Sequence, residues 1–153
     1  MGHHPDSAFL ALVAAHEETL LRAARLLTGD WPRAEELLQD TLAWTLSAWE
    51  TLSAEPAAPL RVRQRLVAGY LAGNGAVAAA DEEADLDEDA AAPPARRQLV
   101  DSLADLNAED RAVLVSRYYL GLSAAEIGEV LGTDAEEVAT AAADALAALR
   151  WVR

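Results

Sequence analysis

Apolar residues recur every three to four positions along most of this chain, a spacing that predicts amphipathic α-helices. The first helical pattern stops at Thr28-Gly29. The second begins at Asp30, with Pro32 in its first turn, where a proline costs the helix no hydrogen bond. The third follows proline breaks that end at Pro59, and it stops at Gly73. The N-terminal half is therefore predicted to hold three helices.

The pattern disappears between residues 76 and 94, where alanine, acids and proline replace the apolar residues. The acids of this segment have no balancing cation. They are Asp81, Glu82, Glu83, Asp85, Asp87, Glu88 and Asp89. A segment of this composition buries too little apolar surface to fold, and its like charges repel one another. We predict a linker, with an electrostatic mimic of nucleic acid as the alternative.

The C-terminal part contains two helix-start patterns close together. Ser123 with Glu126, and Asp134 with Glu137, match the capping box, in which the first side chain and the later glutamate each bond a free backbone amide. Gly132 lies between them, and glycine readily adopts the left-handed backbone that ends a helix. A turn this short makes two helices cross steeply and pack, so the sequence predicts a helix-turn-helix.

These helices predict an all-α fold of two small helical domains. We place the first domain at residues 6–75, an acidic Ala/Pro linker at 76–94, and a four-helix domain with the helix-turn-helix at 95–153. Neither domain buries much apolar surface alone. We therefore expect the two to dock, with the arginines of the 61–65 run facing glutamates of the helix-turn-helix.

Composition narrows the function classes. The 153 residues include 12 basic and 26 acidic side chains, and the net charge of -14 repels nucleic acid and anionic membranes. The lack of cysteine excludes disulfides, thiolate metal sites and thiol catalysis. No apolar run approaches the roughly 20 residues that cross a bilayer. We expect a cytoplasmic protein without a membrane segment.

The sequence contains only weak signals for a catalytic, metal or phosphate-binding site. His16-Glu17-Glu18 offers metal-ligand types, but consecutive residues point in different directions around a helix, which favours a charged surface. The arginines at 61, 63 and 65 favour pairing with local acids or an acidic partner over a phosphate patch. Because no nucleophile has an adjacent base and no glycine loop could bind phosphate, we predict no enzyme activity, cofactor or metal.

Four motifs together resemble those of extracytoplasmic-function sigma factors of RNA polymerase. They are Leu-Thr-Gly-Asp at 27–30, Ala-Glu-Glu-Leu-Leu-Gln at 34–39, Arg-Tyr-Tyr at 117–119 and Leu-Ser-x-x-Glu-Ile-x-Glu-x-Leu-Gly at 122–132. Each motif alone is common, whereas the combination is specific and spans most of the chain. The resemblance implies a sigma region 2-like first domain and a sigma region 4-like second domain.

The resemblance also implies a partner-binding face. In the family, the segment that matches 34–39 binds the clamp helices of RNA polymerase. The matching face here comprises Glu35, Glu36, Leu38, Gln39 and Trp44. Trp44 stands where the family usually has a basic residue, and a large aromatic at this place is either core or an interface anchor.

The sequence departs from both promoter-binding surfaces of the family. The family's third helix carries an asparagine and then arginine and tryptophan that melt and hold the promoter, whereas the matching stretch at 66–75 has no cation. The family's recognition helix is basic. The matching residues here are Glu136, Glu137, Ala139, Thr140, Ala141 and Asp144. Because acids repel phosphates, we predict a degenerate DNA-recognition helix and no DNA binding by the isolated chain.

Three function classes follow. The sequence favours a sigma-factor-like transcription regulator that acts through protein contacts, with RNA polymerase core or an anti-sigma-type partner, and binds promoter DNA weakly or not at all. The second class is a working extracytoplasmic-function sigma factor that directs RNA polymerase to promoters. The third is a helical interaction module that retains only the fold.

Overall fold

The computed structural model describes residues 7–73 and 94–149. Its helices are α1 (Ser7–Thr28), α2 (Trp31–Ser47), α3 (Trp49–Leu52), α4 (Ala58–Gly73), α5 (Pro94–Ala104), α6 (Ala108–Leu114), α7 (Ala124–Leu131) and α8 (Ala135–Leu149), and a π-helical turn (Val115–Tyr119) continues α6. These two ranges contain no strand, which confirms the all-α prediction. The predicted linker lies outside the described residues, except that Pro94 begins α5.

Local capping explains where several helices begin. Asp30 caps α2, as its sequence position predicted. At α7 the full capping box is present: Glu126 N–H donates to Ser123 Oγ at 3.1 Å, and Ser123 N–H donates to the Glu126 carboxylate at 2.8 Å. Asp134 caps α8 by accepting the Glu137 N–H at 2.8 Å, but the reciprocal bond predicted there does not form.

Two predicted details of the helices were wrong. Pro59 lies in the first turn of α4, which starts at Ala58, and does not precede the helix. A proline in a first turn removes no helical hydrogen bond, so the chain can enter the helix earlier than the proline suggested. The apolar spacing also predicts that Leu46 and Leu146 are buried, but they are 46% and 39% exposed, because each lies on the outer side of its helix next to a buried neighbour, Thr45 or Ala145.

Helices from both parts of the chain bury their side chains in one hydrophobic core. Leu27 and Leu66 of the N-terminal part belong to the same buried cluster as Val113, Ile127 and Val138 of the C-terminal part. Helix α4 packs on α6 and α7, and α1 packs on α5. Burying each such side chain contributes about 1.5–3 kcal/mol. The structure therefore shows the docking that the small size of the two predicted domains had suggested.

The polar contacts across this interface differ from the predicted arginine–glutamate pairs. Arg63 donates to the main-chain carbonyl of Leu120 at 2.9 Å. Gln64 is buried, and its Nε2 donates to the carbonyl of Glu126 and to Glu129 Oε1, both at 2.9 Å. The prediction was wrong because α4 turns the glutamine, and not its arginine neighbours, towards the glutamates.

A buried cation also joins the two parts. Arg111, only 9% exposed, donates from Nη1 to the Leu27 carbonyl at 2.8 Å and from Nη2 to the carbonyls of Ala104 at 3.2 Å and Leu106 at 2.9 Å. No carboxylate of the described ranges lies within ion-pair distance of it. The last carbonyls of a helix carry partial negative charge, so the ends of α1 and α5 hold this guanidinium in place of a counterion.

We predict that Arg111→Met strongly destabilises the fold. Methionine keeps much of the apolar volume but removes every donor, which leaves buried carbonyls unpaired. The free energy of unfolding, measured by urea denaturation, should fall by about 3 kcal/mol. The control Arg117→Met, at an exposed position, should change it by less than about 0.5 kcal/mol. Equal stability of the two variants would show that Arg111 is not a structural link.

Candidate partner-binding and nucleic-acid surfaces

The predicted partner-binding residues lie on α2. Glu35, Glu36 and Gln39 are exposed, and Trp44 is half-buried. Leu38 is only 7% exposed and belongs to the buried stripe of α2, whose members recur at the helical spacing of three and four residues. Leu38 therefore packs beneath that face, and a direct contact of Leu38 with a partner stays a prediction.

Trp44 lies at the edge of this face. The guanidinium carbon of Arg65 lies 5.2 Å from the centroid of the Trp44 ring, a cation–π contact worth about 0.5–1 kcal/mol at an exposed site. With Gln64 and Glu129, both residues line a cleft of ≈ 250 Å³ between α2, α4 and α7. One part of Trp44 packs and another part is accessible, so its role as an interface anchor stays a prediction.

A second cleft, also of ≈ 250 Å³, lies between α2 and α4. We call it the α2–α4 cleft. Its lining residues are Thr28, Arg33, Glu36, Leu37, Asp40, Gly69, Tyr70 and Gly73. Burial raises the pKa of the Tyr70 phenol, and the nearby charge of Arg111 offsets part of that rise, so the hydroxyl stays neutral at physiological pH. Glu36 belongs both to this cleft and to the partner-binding face.

The helix-turn-helix consists of α7, a short turn and α8. Gly132 ends α7 with φ 78°, the left-handed conformation that the sequence predicted. At Gly128 a Cβ would lie 2.4 Å from the carbonyl oxygen of Thr133, so the turn lies directly against α7. Ile127 and Val138 are both 1% exposed and join the two helices to the core. The motif predicted from two capping boxes is confirmed.

The proposed recognition helix presents an acidic surface. Glu136, Glu137, Ala139, Thr140 and Asp144 are exposed, whereas Ala141 is half-buried. Residues 135–149 include no basic side chain. Phosphate contacts in DNA complexes come mainly from cations and from donors on polar side chains and helix N-termini. The outward face of α8 offers one hydroxyl and no cation for such contacts.

The α4 stretch that matches the family's promoter-melting segment packs its large side chains into the hydrophobic core. Leu66, Val67 and Tyr70 are 0%, 1% and 4% exposed. The described part of this stretch, 66–73, contains no cation. Positions 74 and 75 lie outside the described residues. This part of α4 therefore contributes packing and none of the arginine or tryptophan chemistry that the resemblance implied.

One apolar surface escaped prediction. In the π-helical turn, the Leu120 N–H donates to the Val115 carbonyl at 2.9 Å, one residue further back than in an α-helix. Tyr118 and Tyr119 of this turn are 61% and 40% exposed, and they line an apolar cleft of ≈ 220 Å³. The adjacent tyrosines were visible in the sequence, but a π-helical turn leaves no periodic pattern that could have revealed it.

No group of three or more potential metal ligands occurs within the two described ranges. In the same ranges, none of the helices has both the length and the apolar character needed to cross a membrane.

The fold and the helix-turn-helix define a transcription-factor architecture of the sigma type. The family model described as Sigma-70, region 4 matches residues 96–149. The ECF RNA polymerase sigma factor SigL of Mycobacterium tuberculosis is 34% identical over 137 residues, which cover 80% of this chain and 75% of that protein. The RNA polymerase sigma-E factor of Streptomyces coelicolor is 30% identical over 148 residues, which cover 93% and 84%.

Similarity of this extent over most of both chains shows the family. This chain belongs to the extracytoplasmic-function family of RNA polymerase sigma factors. The family is one of transcription factors that are not enzymes, and the resemblance of the four motifs is thereby confirmed.

We predict that Gly128→Ala weakens the helix-turn-helix. The new methyl group would collide with a backbone oxygen, which cannot move as freely as a side chain, and overpacking of this kind costs about 1–3 kcal/mol. The control is Gly73→Ala, because a Cβ there meets nothing within 4 Å. Thermal unfolding should show a lower midpoint for Gly128→Ala only; equal midpoints would contradict the close approach of the turn.

Proposed function

We propose that this protein is a sigma factor that binds core RNA polymerase through the exposed face of α2 and directs it to promoters. The observation that carries the proposal is the exposure of Glu35, Glu36 and Gln39 on one helix, at the positions of the clamp-binding motif. Residues 35 and 39 are one helical turn apart and adjacent on the surface. The names of both relatives, each a sigma factor, support the same function.

In this proposal the two domains and the linker inferred from the sequence have different roles. Residues 6–75 bind polymerase, residues 95–153 approach the promoter, and 76–94 connect them. The docked arrangement of α4 on α6 and α7 supports a form in which the two act as one body.

A second candidate is a regulator that acts through protein contacts and binds promoter DNA weakly. Its partner is polymerase core or an anti-sigma-type protein. The acidic outward face of α8 favours it, because three carboxylates stand where a DNA-reading helix of the family is basic. Family membership favours the first candidate, since the relatives are named as sigma factors. The polymerase and DNA measurements below separate the two.

We predict that Gln39→Ala combined with Trp44→Ala weakens capture of core RNA polymerase. The change removes an exposed amide and an aromatic anchor, and interface aromatics typically contribute about 2 kcal/mol or more. A pull-down with purified core measures it, and circular dichroism checks that helix content is retained.

Arg65→Ala is the matched control for this variant, since it removes the partner of the Trp44 ring and leaves the tryptophan in place. Undiminished capture by the double variant would place the interface elsewhere. No capture by the unmodified chain would refute the promoter-directing sigma factor, and would leave a regulator with an anti-sigma-type partner or a module that retains only the fold.

We predict that the isolated chain does not bind duplex DNA measurably at physiological salt, because α8 carries no cation over its described residues 135–149. Changing Glu136, Glu137 and Asp144 to lysine should create binding that weakens steeply with salt in a mobility-shift titration. The control changes three exposed acids of other helices to lysine, which alters net charge equally. They are Glu17, Glu50 and Asp101.

Sequence-specific binding by the unmodified isolated chain, at micromolar affinity or tighter, would contradict this prediction. Transcription by core polymerase on a library of genomic fragments then distinguishes the candidates. Start sites that depend on the added chain support the promoter-directing sigma factor. Polymerase binding without such start sites supports the protein-contact regulator.

A further inference from the structure

We draw no further inference here: the strongest candidate, the apolar cleft that Leu99, Tyr118, Tyr119 and Leu146 line between α5, the π-helical turn and α8, is an unpartnered surface of the described residues, and nothing in the structure shows what covers it.

Discussion

The contact on which the rest of the structure depends is the buried guanidinium of Arg111, which joins the end of α1 to the α5–α6 turn. It has no carboxylate partner among the described residues and is neutralised by main-chain carbonyls. Such an arrangement is directional, because the Nη1 and Nη2 donors must meet fixed oxygens. The apolar core provides most of the affinity between the two parts, whereas Arg111, with Gln64 across α4 and α7, fixes how they are oriented.

This packing determines which surfaces remain available. The face of α2 and the outward face of α8 are both exposed in the docked form. By contrast, Leu66, Val67 and Tyr70, in the α4 stretch that matches the family's promoter-melting segment, are buried in the core. Polymerase binding therefore needs no opening of the structure in this account. Within the described residues, neither the 66–73 part of α4 nor the outward face of α8 presents a cation. In the proposed function, binding of the α2 face to core polymerase brings residues 95–153 close to the promoter.

The sequence predicted what is local and missed what depends on packing between distant residues. Helix caps at Asp30, Ser123 and Asp134 were predictable because each is a bond within one turn of chain. Helical spacing predicted that Leu38 is buried, whereas the resemblance to the family motif placed it on the binding face. The role of Gln64 could not be predicted, since it depends on how α4 is rotated against α7. The α2–α4 cleft likewise exists only because two helices meet there.

Small-angle X-ray scattering of the full chain tests most directly the claim that its two parts form one body. The account predicts a single compact particle with a radius of gyration near about 15 Å, the value expected for one globule of this length. A pair-distance distribution with one maximum would agree with it. A distribution with two separated maxima and a clearly larger radius would contradict the shared core and the role given to Arg111.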